Sequence, residues 1–425
     1  METIANKKNI WIINQYAMSP DHEVRVRHNM FARYLGELDY DVTVIGGSFF
    51  HNMNKSVDIG KGKFKIKEYG NQRFVHVRVN SYKGNGFKRK ISFLIFHLNL
   101  ILSAKRIIQN IGQVPNIVIY DNAAFPINAA LYLQKRYHSK LIVEVRDLWP
   151  ESIIVYKVAK SNNLLIRYLY YLEKNMYIKA DSIIFTMEGG KDYIIEKGWD
   201  KQHGGSVNLD KVHHINNGVD LDVFDRNVQE KIIKDVDLDN PDSFKFVYTG
   251  SIRRANNLDL VLDAAKLVKN PKIQFLIWGD GDQLTRLKQR LKDEQIQNVI
   301  FKGKVGKHFV PGILHRADAT FFVLENSPLF RFGLSLNKSF EYLAAGKPLL
   351  IIGDAAYSMI DEYKCGYHLR ENSPEEFSKS VEQLVGLDSR EYQALCENAR
   401  DAAKKYDFKV LTDKLIELLE CNSSP

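Results

Sequence analysis

Cysteine is scarce in this chain: three residues in 425, Cys365, Cys396 and Cys421. So few thiols, so scattered, build neither a disulfide framework nor a zinc site, and a reducing compartment is the default expectation. Long apolar runs are missing too. The longest uncharged stretch, 91–104, falls short of the ~18–20 residues that cross a bilayer. Near the N-terminus Asn14 and Gln15 interrupt the short run 10–13, leaving no signal-peptide core. These absences predict a soluble protein, or one that sits on a membrane without crossing it. There is no G-x-x-x-x-G-K-[ST] loop, and Gly279 and Gly281 are followed by Leu284 where a dinucleotide fingerprint needs its third glycine. G-x-S-x-G, H-E-x-x-H and paired C-x-x-C are absent as well. The twelve histidines show no metal-ligand spacing, so no metal or other cofactor is expected. No repeat of 20–50 residues and no low-complexity tract is present.

What is present is ordinary globular material: 45% hydrophobic and 26% charged residues, in a chain long enough for two or three full cores. The net charge of +9 is unevenly spread. Residues 51–110 hold 13 Lys and Arg against two acids, Asp58 and Glu68, a surplus larger than that of the whole chain. A patch of this kind points to an anionic partner: nucleic acid, anionic lipid or a diphosphate. A solvated basic surface would look the same.

Short apolar runs alternate with helix-period segments throughout. Strands are predicted at 9–13, 41–45, 74–79, 117–120, 141–145, 182–186 and 212–215, with helices at 23–38, 91–109, 126–136 and 164–179. A polar, Asp-rich segment at 225–243 reads as a linker or the first loop after it. A second series follows, with strands at 244–248, 273–278, 299–301, 319–324 and 349–352 and helices at 257–268, 282–294, 336–345, 374–385 and 390–404. Uninterrupted apolar strands between helices are the sign of a parallel sheet covered on both faces. Two doubly wound, Rossmann-like α/β domains facing across a cleft are implied, one at 1–215 and one at 216–405, with a C-terminal helix at 406–425 crossing back to the first.

The stretch 330–348 is the most informative. Gly333 to Asn337 predict a turn opening a helix that runs to about Ala345. Backbone N–H groups at a helix start are unpaired, and the dipole favours negative charge there. Lys338 adds a compact cation. Glu341, one turn on and on the same side, can accept two hydroxyl hydrogen bonds from a ribose. Phosphate at the tip and ribose against the next turn describe a nucleoside diphosphate, although an ordinary capped amphipathic helix has the same spacing.

With these residues in view the chain resembles retaining GT-B glycosyltransferases of family 4, particularly bacterial, fucosamine-transferase-like enzymes that build O-antigen and capsule repeat units. The resemblance runs through Asn14, Gln15 and Tyr16 after the first strand, Glu144 to Ser152, Asn216 to Asp220, Tyr248 to Arg253, Gly279 to Gly281, and Asn337 to Pro348. It implies that Glu341 is the second glutamate of an E-x7-E element and binds the donor ribose. The first glutamate would fall at Gly333 and is missing, so contacts to the sugar hydroxyls must come from elsewhere. The diphosphate would rest on Leu334, Ser335, Asn337 and Lys338, with Gly250, Ser251 and Arg253 or Arg254 after the first strand of the second domain. A guanidinium forks onto two phosphate oxygens. Gly279 and Asp280 would cradle the nucleoside, and Val305 would present backbone groups to the base.

In the first domain the resemblance points to Arg146 and Asp147, at the end of strand 141–145. Many relatives carry histidine at the position of Arg146. Arginine cannot act as a base at neutral pH, so Arg146 is assigned to binding or charge stabilisation, and Asp147 and Glu151 are the candidates to accept the acceptor hydroxyl's proton. Asn14, Tyr16, Arg25 and Arg27 are the acceptor-binding candidates. The acceptor implied is a saccharide on a polyprenyl diphosphate, handled at the cytoplasmic face of the membrane. Lys83, Lys88, Arg89, Lys90, Lys105 and Arg106 surround the apolar run 91–102 and suit an anionic bilayer surface. Runner-up readings are a nucleotide-sugar 2-epimerase of the same fold and a non-catalytic subunit that binds nucleotide or membrane. No nucleic-acid-binding module is recognised.

Overall fold

The computed structural model describes residues 7–23, 26–84, 86–121, 128–156 and 162–421. They form two units, Met1–Asn216 with Leu411–Pro425, and Asn217–Val410. Arg25 lies outside the described residues, as do 24 and 126–127, on which parts of two predicted helices fall.

The first unit contains β1 (Asn9–Ile13), α1 (Arg27–Glu37), β2 (Asp41–Gly47), a two-residue pair β3 (Phe49–Phe50) and β4 (Lys55–Ser56), β5 (Phe64–Tyr69), β6 (Gln72–Val77) and α2 (Phe87–Ile111). It continues with β7 (Ile117–Asp121), α3 (Asn128–Tyr137), β8 (Lys140–Val145), α4 (Glu151–Val155), α5 (Leu164–Lys179), β9 (Ser182–Phe185), α6 (Gly190–Glu196) and β10 (Val212–His214). Eight strands pair in the order β10-β9-β8-β7-β1-β2-β6-β5. All neighbours are parallel except β5 and β6. Every residue of β1 and β7 is buried, as expected of strands covered on both faces. β5 is an addition to the predicted set. Its Phe-Lys-Ile-Lys alternation turns lysines outward on the sheet edge, where charge discourages further pairing.

The apolar run 91–104 belongs to a longer helix than predicted. At 25 residues, with a mean hydropathy of 1.6 over its most apolar window, α2 is long and apolar enough to cross a membrane by length and composition. The expectation from run length is corrected in that respect. In this fold the helix is a crossover between β6 and β7, and Ser92, Phe96, His97, Leu100, Ser103, Ala104 and Ile107 are buried.

The second unit runs α7 (Leu221–Glu230), β11 (Phe244–Ser251), α8 (Leu258–Leu267), β12 (Ile273–Asp280), α9 (Leu284–Asp293), β13 (Val299–Gly303) and α10 (Val310–His315). There follow β14 (Ala319–Val323), α11 (Asn337–Ala344), β15 (Leu349–Ile352), α12 (Met359–Tyr363), β16 (Gly366–Leu369), α13 (Pro374–Val385) and α14 (Ser389–Lys405), and α15 (Phe408–Glu420) closes the chain. Six parallel strands lie in the order β13-β12-β11-β14-β15-β16. Of the two readings of the polar segment 225–243, the linker is wrong: 231–243 form a loop of the second unit, leading from α7 into β11. The segment's first residues finish α7, Leu238 is buried, and Lys302 pairs with both Asp235 and Asp237, which builds the segment into the second unit.

Both sheets have a topological switch point. In the first, connections run one way from β1 through β2 and the other way from β7 through β8, so the crevice opens between β1 and β7. In the second it opens between β11 and β14. Open α/β sheets bind ligands outside the carboxyl ends of the strands at this place.

Candidate functional site

In the second unit the switch point brings together the ends of β11, β12 and β14 and the start of α11. β11 and β12 are in register to their last residues, Gly250 opposite Gly279 and Ser251 opposite Asp280. The approach is close enough to require glycine: a Cβ on Gly279 would lie 1.8 Å from the Gly250 carbonyl oxygen, and one on Gly281 2.1 Å from that of Ile252. Asp280 Oδ1 accepts the N–H of Gly281 at 2.8 Å. The Ser251 hydroxyl donates to Asn256 at 2.9 Å. Arg253 and Arg254 are exposed at the short turn that follows, and neither forms an ion pair among the described residues.

α11 begins at Asn337, one residue inside the predicted start at 336. Leu336, at its N-cap, offers no side-chain oxygen to the first turn; the Ser339 N–H bonds back to the Leu336 carbonyl at 3.0 Å, and the N–H groups of Asn337 and Lys338 have no partner among the described residues. Tyr342, one turn further in, fixes the helix against β11: its hydroxyl accepts the Thr249 N–H at 2.7 Å and donates to the Thr249 carbonyl at 3.1 Å. Lys338 lies over the rings of Tyr248 (4.8 Å) and Phe322 (5.5 Å), with Nζ 3.4 Å from the Tyr248 hydroxyl. No carboxylate pairs with it among the described residues. Burial lowers its ammonium to about 8. Asn337 is exposed, Glu341 is half-buried, and Leu334 is buried beneath the turn. Ser335 is held from the other side, its hydroxyl accepting the Asn217 N–H and its carbonyl the Asn217 side-chain amide, each at 3.1 Å. Val305 is partly buried beyond β13. Gly333, where the missing glutamate would stand, has φ 98° and ψ −179°, a backbone conformation essentially confined to glycine. The departure from the pattern is thus part of the loop's shape.

In the first unit the switch point holds a polar cluster that sequence reasoning reached only in part. Asp121, the last residue of β7, is buried. Its Oδ2 accepts from Asn14 Nδ2 and from Arg146 at 3.2 Å, and stands 2.8 Å from His28 Nε2. Burial works to raise this carboxyl, but Arg146, His28 and Asn14 outweigh it and hold it below the usual carboxylate range. Asn14 Oδ1 also accepts the Tyr16 N–H, and the Tyr16 hydroxyl accepts from Arg89 at 2.7 Å. Asp147 is exposed beside Arg146. His28 and Asp121 had no place among the predicted site residues. The signal for Asp121 was an acid at the carboxyl end of an apolar strand, but nothing local reveals His28, 93 residues away.

Two expectations need correction. Arg27 is not an acceptor contact: its buried guanidinium donates to Glu144 at 2.9 Å and to the carbonyl oxygens of Ile215 (2.9 Å) and Asn216, which fixes α1 to β8 and to the end of the unit. Glu151 does not present a base. Its carboxylate accepts from Tyr170 on α5 and from Lys197 after α6, and so anchors α4. His28, Asp121 and Glu144 offer ligand atoms within 4.8 Å of one another, close enough to share a cation. Arg27 and Arg146 already pair with the two carboxylates, and two guanidinium charges oppose a metal there.

Residues 229–406 match the family model for glycosyl transferases group 1. The probable glycosyltransferase WbjE of Pseudomonas aeruginosa is 24% identical over 74% of this chain and 76% of its own length. TuaH of Bacillus subtilis (strain 168), named as a teichuronic acid biosynthesis glycosyltransferase, is 23% identical over 70% of each chain. Among solved structures, the E. coli trehalose-6-phosphate structure bound with UDP-2-fluoro glucose covers 97% of this chain and 99% of its own with a TM-score of 0.72, at 11% identity. The fold is the two-domain α/β fold seen in GT-B glycosyltransferase structures, and the match of 229–406 to the group 1 glycosyl transferase model, together with the two relatives named as glycosyltransferases, makes this chain a transferase.

Proposed function

We propose that this glycosyltransferase is a retaining, family 4 type enzyme that moves a sugar from a nucleoside-diphosphate donor to a saccharide carried on a polyprenyl diphosphate, in surface polysaccharide synthesis. The observation that carries the donor reading is Lys338, a partly buried ammonium that pairs with no carboxylate among the described residues, next to the Asn337 and Lys338 N–H groups that open α11. Such a start attracts a diphosphate, and a relative of the same fold bound with UDP-2-fluoro glucose supports a nucleotide-sugar donor. The relative named for teichuronic acid biosynthesis supports the polysaccharide role.

In the reaction we envisage, the bond between the anomeric carbon and the diphosphate oxygen breaks, and the acceptor oxygen bonds to that carbon on the same face. The acceptor's proton passes to a departing phosphate oxygen. Lys338, the α11 amides and Arg253 or Arg254 stabilise the charge that grows on the leaving group, so no metal is needed. Arg146 and Asp121 position the acceptor. The enzyme would work on the cytoplasmic face of the membrane. Lys83, Lys88, Lys90, Lys105 and Arg106 are exposed around α2, whose outer face bares Phe87, Leu94, Leu98 and Leu102, and this combination suits an anionic bilayer.

The test is thermal stability against UDP, GDP and dTDP and their sugars, without added metal. One base should raise Tm in a dose-dependent way, and Glu341→Gln should weaken that shift by about tenfold in ligand concentration through lost ribose bonds. A chain that responds to none of the nucleotides would defeat the donor reading. Product analysis with and without a lipid-linked acceptor then tests transfer itself.

A further inference from the structure

α5 has two faces. Ile166, Leu169, Glu173, Met176 and Tyr177 are buried against the first unit. The opposite face is apolar and bare: Leu164 is 79% exposed, Tyr171 61%, Leu165 55% and Tyr168 54%. At 100° per residue, positions 164, 168 and 171 fall within about 60° of one another, with 165 at the edge. Tyr168 and Tyr171 stack with ring centroids 6.4 Å apart. Arg167 and Lys174 flank this strip on one side, and Lys179 ends the helix. The only acid on the helix, Glu173, points inward and accepts from Tyr177 (2.7 Å) and Tyr193 (2.9 Å). The outer surface of α5 therefore carries leucine, tyrosine and positive charge, with no exposed negative charge.

We propose that this face of α5 is a second membrane-contacting surface, with an anionic lipid bilayer as its occupant. The inference rests on the reading that the first unit docks on such a bilayer through α2, and adds an independent contact to it. Charge decides the occupant. Cations bordering an apolar strip are drawn to anionic headgroups, whereas two copies of this face would bring like charges together. The tyrosines fit the same place, since a ring with an apolar body and a polar tip settles at the headgroup boundary. Leu164 and Leu165 would reach further in, while Arg167 and Lys174 stay with the phosphates.

The experiment is sedimentation of the full chain with vesicles of phosphatidylglycerol mixed with phosphatidylethanolamine, and with phosphatidylcholine vesicles as the neutral control. Two triple variants are compared: Leu165→Ser with Tyr168→Ser and Tyr171→Ser on α5, and Leu94→Ser with Leu98→Ser and Leu102→Ser on α2. All six side chains face outward, so both variants should fold. Each should lose about tenfold in partitioning to anionic vesicles, the scale expected for three side chains shallowly inserted. Neither should lose nucleotide binding. Tyr168→Trp should show a blue-shifted emission on anionic vesicles and none on neutral ones. If the α2 variant loses vesicle binding and the α5 variant binds like the parent chain, the α5 contact is refuted while membrane docking stands. If the parent chain ignores anionic vesicles, docking fails as a whole and this inference with it. If the α5 variant instead abolishes a concentration-dependent dimer seen by light scattering, the face is a self-interface and the proposal is overturned.

Discussion

An ammonium group held away from water without a carboxylate can lower its energy by releasing its proton or by receiving an anion. Lys338, partly buried and paired with no carboxylate among the described residues, approaches that position, and its site supplies the second route, with α11 amides beside it and Tyr248 and Phe322 beneath. Burial brings its ammonium to about 8 from an ordinary 10.5. Only the charged form pairs with a diphosphate, so affinity for a nucleotide sugar should be flat below pH 8 and fall up to tenfold per pH unit above it. Isothermal titration at pH 7, 8 and 9 measures this, and equal affinity at all three would exclude Lys338 from the contact. The same burial disfavours the folded state while the group is charged, below its folded pKa, and that cost is relieved between about 8 and 10.5. Lys338→Met should therefore lose nucleotide binding at pH 7 yet gain stability of about 1 kcal/mol or less, a discounted value because the ammonium keeps some water. Arg27 is the contrast. Its guanidinium is buried and fully paired, so it belongs to the fold. The sequence distinguishes these two cations poorly. Lys338 was legible because a turn and a helix start surround it locally, while Arg27 finds Glu144 117 residues away.

Elements were legible where apolar residues run without interruption. β1, β2, β7, β8 and β9, and β11, β12, β14 and β15, can be read from short apolar runs that two-sided burial explains. β5 and β16 escaped because edge strands mix in lysine, glycine or histidine, and local composition no longer marks them. The Asp-rich stretch after α7 looked like a linker because the partner of its charges, Lys302, is more than 60 residues away. α5 shows how much an element's role depends on what it meets. Read alone it is an amphipathic helix with one acid. In the fold that acid, Glu173, is fully buried between Tyr177 and Tyr193, and burial raises its carboxyl to about 8 although both hydroxyls oppose the shift. The native state therefore holds a proton that the unfolded chain releases near its ordinary 4.5. Stability from this group is fully present below pH 4.5 and is lost as pH rises through 8. Glu173→Gln keeps the shape without the ionisation. The unfolding free energy advantage of this variant over the parent, followed by denaturant titration, should grow between pH 5 and pH 8 and level off beyond, by about 1.4 kcal/mol per pH unit at most. A constant difference across that range would mean that Glu173 is charged throughout.

At the scale of the whole molecule the chain enters the second unit at Asn217 and returns to the first at Leu411. A C-terminal helix was readable in the sequence, but what holds it was not. Leu411, Leu415, Leu418 and Leu419 are buried, and Lys140 donates from β8 to the carbonyl oxygens of Leu418 (2.6 Å) and Cys421 (2.7 Å), capping groups that a helix end otherwise leaves to water. The Tyr40 hydroxyl adds a bond to Glu420 at 2.8 Å. Residues 411–421 thus pack into the first unit, while the candidate donor residues, from Gly250 to Glu341, all belong to the second. Damage to the tail should therefore separate the two. Leu415→Asp places an uncompensated carboxylate in the first unit's core and should cost about 3 kcal/mol or more. Limited proteolysis should then cut within 1–216 long before 217–410, and the nucleotide-dependent protection of the second unit should persist at the parent chain's ligand concentration. If the substitution instead abolishes nucleotide protection together with the first unit's resistance, the donor site depends on the first unit for its shape, and the residues gathered around Lys338 do not suffice to form it.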